Sequence, residues 1–215
     1  MKFIGITGGV GAGKSAILDY LSKKDKVRVM LADEIAHKLM EPGSKCYDDI
    51  CHEFQGEDIL DADGSFHRLK LAKVIFSSDE KRNKLNEIVH PAVKEYVIDQ
   101  YEKEKASNSL DFLVLEAALL IEEHYDAICD ELWYIYTSEE NRRKRLKESR
   151  GYSDEKIDNI FSSQLREEEF TKKCKCVIDN NDSLEKTFLQ IEKALRGGEY
   201  EQRGRDCRSE ISTRD

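Results

Sequence analysis

The sequence predicts an α/β fold built on a parallel sheet, and three observations carry that prediction. Five short runs rich in Val, Ile, Leu and aromatic residues recur down the chain: Lys2–Thr7, Lys26–Leu31, Phe112–Glu116, Glu131–Tyr136 and Cys176–Ile178. Helical material separates each run from the next, and strand–helix alternation is the pattern of a sheet crossed over by helices. The runs are almost continuously apolar rather than alternating, as strands covered on both faces must be.

The first run passes into a glycine-rich turn and then a helical stretch, Ser15–Leu21. The second ends just before Asp33. From Ala32 to Leu110 no strong strand signal appears, and helical stretches read at Asp33–Met40, Cys46–Phe54, Leu69–Phe76 and Glu80–Lys105. Pro91 is expected to break or restart the last of these, because proline lacks an N–H and clashes with the preceding turn. Leu85, Ile88, Val89, Val93 and Val97 fall on roughly one face of it, a packing stripe. No Gly/Ser/Pro-rich linker sets the interval off. It is therefore expected to be a helical insertion, about residues 34–108, within a single domain of residues 1–196. After the fourth run, Asn141–Arg150 is strongly basic, with Arg142, Arg143, Lys144, Arg145, Lys147 and Arg150; the bland reading is a solvated helix face. The tail, 197–215, is polar and charged and is expected to be disordered.

Composition narrows the partners. The chain has 215 residues, 37% charged and 39% hydrophobic, enough for one core under a densely charged surface. Its net charge of −9 argues against DNA, RNA or an anionic membrane as main partner, since a basic excess supplies most of the affinity for polyphosphates. No apolar run approaches the roughly 20 residues needed to span a bilayer. Met1–Ile6 runs straight into a strand pattern rather than a secretory leader. A cytoplasmic protein is expected, with its six cysteines reduced and a monomer compatible with these properties. Cys174-Lys175-Cys176 is not a zinc knuckle, because no second ligand pair follows at metal spacing.

Gly8-Gly9-Val10-Gly11-Ala12-Gly13-Lys14-Ser15 matches G-x-x-x-x-G-K-[ST] at every fixed position, with a strand before it and a helix after. Glycines there let backbone N–H groups approach phosphate oxygens. The helix N-terminus, running on through Ala16, adds partial positive charge at the same point. Lys14 is expected to reach the β- and γ-phosphates of ATP, and the Ser15 hydroxyl to ligate Mg²⁺. A structural turn without function would explain the run poorly, since each glycine costs roughly 1 kcal/mol in a helix interior.

A phosphate loop alone does not separate kinases from other nucleotide-binding proteins. A guanine-specific N-K-x-D is missing, because Asn83-Lys84-Leu85-Asn86 lacks the aspartate; the acidic pair of a motor is missing after Glu116. Asp33 follows the carboxyl end of the second strand, the edge where ligands collect in open parallel sheets. A carboxylate there can accept a proton from an attacking hydroxyl, or it can cap the helix Glu34–Met40.

The chain resembles the dephospho-coenzyme A kinases. The resemblance rests on Thr7–Ser15, on Ala32-Asp33-Glu34-Ile35-Ala36 before Glu41-Pro42-Gly43, and on Leu85-Asn86-Glu87-Ile88-Val89-His90-Pro91. Leu119-Leu120-Ile121-Glu122 and Val177-Ile178-Asp179-Asn180-Asn181 continue it in family order, from residue 3 to about 196. It implies a three-layer P-loop kinase fold like that of nucleoside monophosphate kinases, with a five-stranded parallel sheet, a helical acceptor-binding insertion and a lid at about 138–165. It implies phosphorylation of the ribose 3′-hydroxyl of dephospho-coenzyme A by ATP. Asp33 then becomes the general base, Arg145 with Arg142 the lid arginines that meet phosphate charge, and Asn180 with Asn181 a loop near adenine, although asparagines there equally suit a plain turn. Departures from the family pattern are Leu31 for the first acid of D-A-D, His37 for arginine, Glu116 for aspartate, Ala118 for proline, Ser149 for a lid arginine and Cys174-Lys175 for Ala-Asp. Two other readings stay open: a kinase of another small acceptor such as a nucleoside, and a non-catalytic ATP-binding regulatory module.

Overall fold

The computed structural model describes residues 1–197, so the tail expected to be disordered lies, apart from Gly197, outside the described residues. Five strands form one sheet: β1 (Lys2–Thr7), β2 (Val27–Leu31), β3 (Phe112–Glu116), β4 (Glu131–Tyr136) and β5 (Cys176–Asp179), in the order β2-β3-β1-β4-β5. The pairings of β1 with β3, β1 with β4 and β4 with β5 are parallel. β1 is buried from Phe3 to Thr7 and β4 from Leu132 to Ile135, the unbroken burial that their apolar composition requires. The α/β expectation holds in every strand to within one residue at either end.

The described chain divides into two compact units, one of Met30–Leu110 and one of Lys2–Val29 with the described residues from Asp111 onward. In the sheet unit, α1 (Lys14–Ser22) begins directly after Gly13 and buries Ile17, Leu18 and Leu21.

The helical unit holds α2 (Ala32–Leu39), α3 (Lys45–Glu53), α4 (Arg68–Phe76) and α5 (Asp79–Ser107), with the first three packing on α5. The break expected at Pro91 does not occur: α5 runs 29 residues straight through it. A proline in a helix interior costs about 3 kcal/mol or more. Leu85, Val89, Val93 and Val97 are all buried along α5, and each such side chain contributes about 1.5–3 kcal/mol, so the stripe outweighs the proline. Ile88, placed on the same stripe by the sequence, is only half-buried and lines a cleft instead.

Three more helices follow β4: α6 (Glu139–Arg150), α7 (Asp154–Ser162) and α8 (Glu167–Lys173), and α9 (Leu184–Leu195) follows β5. Ser138, Ser153 and Ser183 cap α6, α7 and α9 by accepting backbone N–H groups in the first turn. Arg143 on α6 reaches Asp154 at 3.1 Å and Asp158 at 2.5 Å, and Lys147 reaches Asp154 at 2.7 Å, so the basic run fastens α7 to α6. No disulfide joins the described cysteines, and Cys207 lies outside the described residues.

Candidate active site

The glycine-rich segment forms the turn between β1 and α1. Gly11 and Gly13 hold φ of +84° and +85°, a region closed to most side chains, and Gly13 stands at the N-cap of α1. That helix start is unlike every other in the described residues. It alone among the α-helices has neither a side-chain cap nor an acid in its first turn. A helix start without either suits an anion, whose charge its partial positive end would meet. Ser15 is exposed at this point, and Ala16 follows half-buried in the same turn.

Lys14 lies across the mouth of the turn. Its Nζ donates to the Gly8 carbonyl at 2.6 Å and pairs with the Glu116 carboxylate at the end of β3, 3.5 Å away. The exposed hydroxyl of Ser15 and the carboxylate of Glu116 are hard oxygen donors. One or two such protein oxygens, completed by phosphate oxygens and water, are what Mg²⁺ requires, so these residues fit that ion.

Two arginines of α6 both meet the turn. Arg142 donates from Nε to the Val10 carbonyl at 2.9 Å and from NH2 to Gln164, with its guanidinium carbon 4.3 Å from the centre of the Phe161 ring. Burial lowers its pKa from the ordinary arginine value. Gly9 is required by this arrangement for space: a Cβ there would stand 2.4 Å from the Arg142 guanidinium carbon. Arg145 donates from NH1 to the Ala12 carbonyl at 3.2 Å and from NH2 to the Asn180 carbonyl at 2.7 Å.

Asn180, assigned to an adenine loop by the resemblance, has its side chain buried behind the turn. Its amide donates to the Ala12 carbonyl at 2.7 Å. Asn181 accepts from Ser138 N and Asn141 Nδ2, joining the loop after β5 to the start of α6. Thr137, Phe161 and Gln164 were not singled out in the sequence. Thr137 had a usable signal, as a polar residue at the carboxyl end of an apolar strand. Phe161 and Gln164 had none.

Asp33 belongs to the helical unit. It does not cap α2, as one sequence reading allowed: Leu31 is the N-cap, with no side-chain bond, and Asp33 is exposed in the first turn. The helix begins one residue earlier than expected, because the chain turns helical directly from β2. The same unit carries a cleft of about 780 Å³, lined among others by Leu39, Glu87, Ile88, Pro91, Glu95 and Tyr96.

Residues 2–186 match a protein-family model described as dephospho-CoA kinase. The dephospho-CoA kinase of Listeria monocytogenes serovar 1/2a is 40% identical over 191 residues, covering 88% of this chain and 94% of its own length. A crystal structure of a Thermus thermophilus protein matches with a TM-score of 0.73 at 25% identity, over 91% of this chain and 97% of that one. Dephospho-CoA kinase from Campylobacter jejuni, at 23% identity and a TM-score of 0.65 over 92% of this chain and 99% of its own, shares the fold.

Proposed function

This chain belongs to the dephospho-CoA kinase family, and we propose that it transfers the γ-phosphoryl group of ATP to the ribose 3′-hydroxyl of dephospho-coenzyme A, the last step of coenzyme A synthesis. The observation that carries the reading is the start of α1, uncapped and without acid, with Lys14 beside it.

On this reading the amides from Gly9 to Ala16 bind the β- and γ-phosphates, and Lys14 exchanges the Gly8 carbonyl and Glu116 for phosphate oxygens. Ser15 and Glu116 are the residues that would hold Mg²⁺, which when bound offsets the charge of the triphosphate. Asp33 takes the proton of the 3′-hydroxyl as its oxygen bonds to the γ-phosphorus, while the bond from that phosphorus to the bridging oxygen breaks and ADP leaves. Support for Asp33 is its position two residues beyond β2, at the edge where open parallel sheets bind ligands. Arg145 would offset charge on the transferred group; a guanidinium carries five N–H donors, so gripping the turn and meeting phosphate are compatible roles. A cytoplasmic enzyme free of nucleic acid and membrane partners fits a net charge of −9 and the absence, among the described residues, of any helix long and apolar enough to cross a membrane.

The test is an acceptor screen. Purified protein is incubated with ATP and Mg²⁺ plus dephospho-coenzyme A, a nucleoside or shikimate, and products are weighed by mass spectrometry. Phosphorylation of dephospho-coenzyme A at the 3′-position is expected. Turnover of a nucleoside alone would overturn the acceptor, and ATP binding without acceptor-dependent ADP release would make the chain a regulatory module.

A further inference from the structure

The carbonyl oxygen of Ala12 receives three side-chain donors from distant parts of the sheet unit. Thr137 Oγ1 lies at 3.0 Å, Asn180 Nδ2 at 2.7 Å and Arg145 NH1 at 3.2 Å. A trans peptide is planar, with its C=O and N–H pointing in opposite directions. Fixing the Ala12 carbonyl toward these donors therefore aims the Gly13 N–H away from them, to the opposite side of the turn. Were that peptide to flip, it would turn a carbonyl oxygen toward the anion the turn is shaped to hold. The orientation of one peptide bond decides whether the end of the turn attracts phosphate or repels it.

Asn180 is the centre of the arrangement. Its residue is 1% exposed, its N–H donates to the Tyr136 carbonyl at 2.8 Å, and its carbonyl accepts from Arg145. Its side chain has two unlike ends, and only the amide nitrogen can face the acceptor-only carbonyl of Ala12. The other end, Oδ1, accepts from the hydroxyl of Thr187 on α9 at 2.9 Å. Thr187 is fully buried. Without that hydroxyl, Oδ1 loses its side-chain donor, and the reason for the amide to stay pointed at Ala12 weakens.

We propose that Thr187 is a positioning residue for ATP, acting through Asn180 and the Ala12 carbonyl on the Gly13 N–H. The inference rests on the reading of residues 8–15 as the triphosphate site and adds a residue that touches no substrate.

Thr187→Val keeps the shape and removes the hydroxyl; Thr187→Ser restores the hydroxyl. Binding of ATP·Mg²⁺ is measured by calorimetry and KM for each substrate by steady-state kinetics. In Thr187→Val the Kd and KM for ATP are expected to rise about tenfold while KM for dephospho-coenzyme A stays within about twofold, and Thr187→Ser is expected to return both to wild-type values. An unchanged ATP affinity in folded Thr187→Val overturns the proposal. So does a parallel rise in both KM values without rescue by serine, which is the mark of general loosening. Should Thr187→Val not fold, Asn180→Asp sets a carboxylate oxygen against the Ala12 carbonyl, and the same loss of ATP affinity is required of it. The two readings fail separately: wild-type protein that binds no ATP removes the triphosphate site itself, whereas equal binding by wild type and Thr187→Val removes only the role of Thr187.

Discussion

Lys14 and Glu116 form an ion pair of 3.5 Å at the mouth of the phosphate-loop turn, each side chain about one-sixth exposed (16% and 17%). The pair and the 2.6 Å bond to the Gly8 carbonyl keep a partly buried ammonium satisfied. Exchanging these partners for a triphosphate costs little, since charge-assisted bonds are replaced by others of the same kind. Lys14→Ala should therefore lower kcat/KM for ATP by about 10²–10³-fold or more, without unfolding the protein. A near-normal rate in a steady-state assay would remove Lys14 from the site.

The strands were legible because each is a short apolar run bounded by polar turns, and the turn between β1 and α1 was legible because its glycines and lysine are local. What could not be read was long-range. Thr137 and Gln164 are ordinary polar residues in sequence. Their meaning appears only when Thr137 reaches Ala12, 125 positions away, and Gln164 meets Arg142 from the bend just beyond α7. The uninterrupted α5 was missed for a different reason: the local cost of Pro91 was visible, but the burial that outweighs it is tertiary. Asp33 lay between the two cases, and the structure removed one alternative by giving the N-cap to Leu31.

The place occupied by the Arg142 guanidinium over Gly9 gives a second prediction. A methyl at position 9 would meet the guanidinium carbon at 2.4 Å, so Gly9→Ala must move Arg142 off the Val10 carbonyl and the Phe161 ring. KM for ATP should rise several-fold in Gly9→Ala and in Arg142→Ala. The double variant should be little worse than either alone, because both remove one interaction. Strict additivity of the two effects in ATP titrations would show that Gly9 matters for another reason.

Asp33→Asn tests the general base. The substitution keeps the size of the side chain and removes its proton affinity, so kcat should fall by about 10²–10⁴-fold. ATP affinity, which depends on the turn after β1, should stay close to that of the wild type. Unchanged kcat would leave Asp33 only the first-turn role of an acid near a helix N-terminus, worth about 0.3–1 kcal/mol.

Alkaline pH should unfold the protein through acids held inside it. Burial pushes the thiols of Cys129 and Cys174 up to about 12, from 9.0, and the phenols of Tyr125 and Tyr134 up to about 12, from 10.0. The folded state thus binds these protons more tightly than the unfolded state does. Their contribution is fully present below about pH 9, shrinks as pH climbs past the unfolded values, and is gone near pH 12. The melting temperature should be level from about pH 7 to 8.5 and fall steadily above pH 9. A thiol reagent supplies an independent readout at about pH 8.5, where only the ionised thiol reacts. In a Cys207→Ser background it should modify half-buried Cys51 while the protein is folded, and reach Cys129 and Cys174 only after denaturation. Rapid native labelling of Cys129 or Cys174, or a melting temperature indifferent to pH up to about 11, would contradict the burial from which these shifts arise.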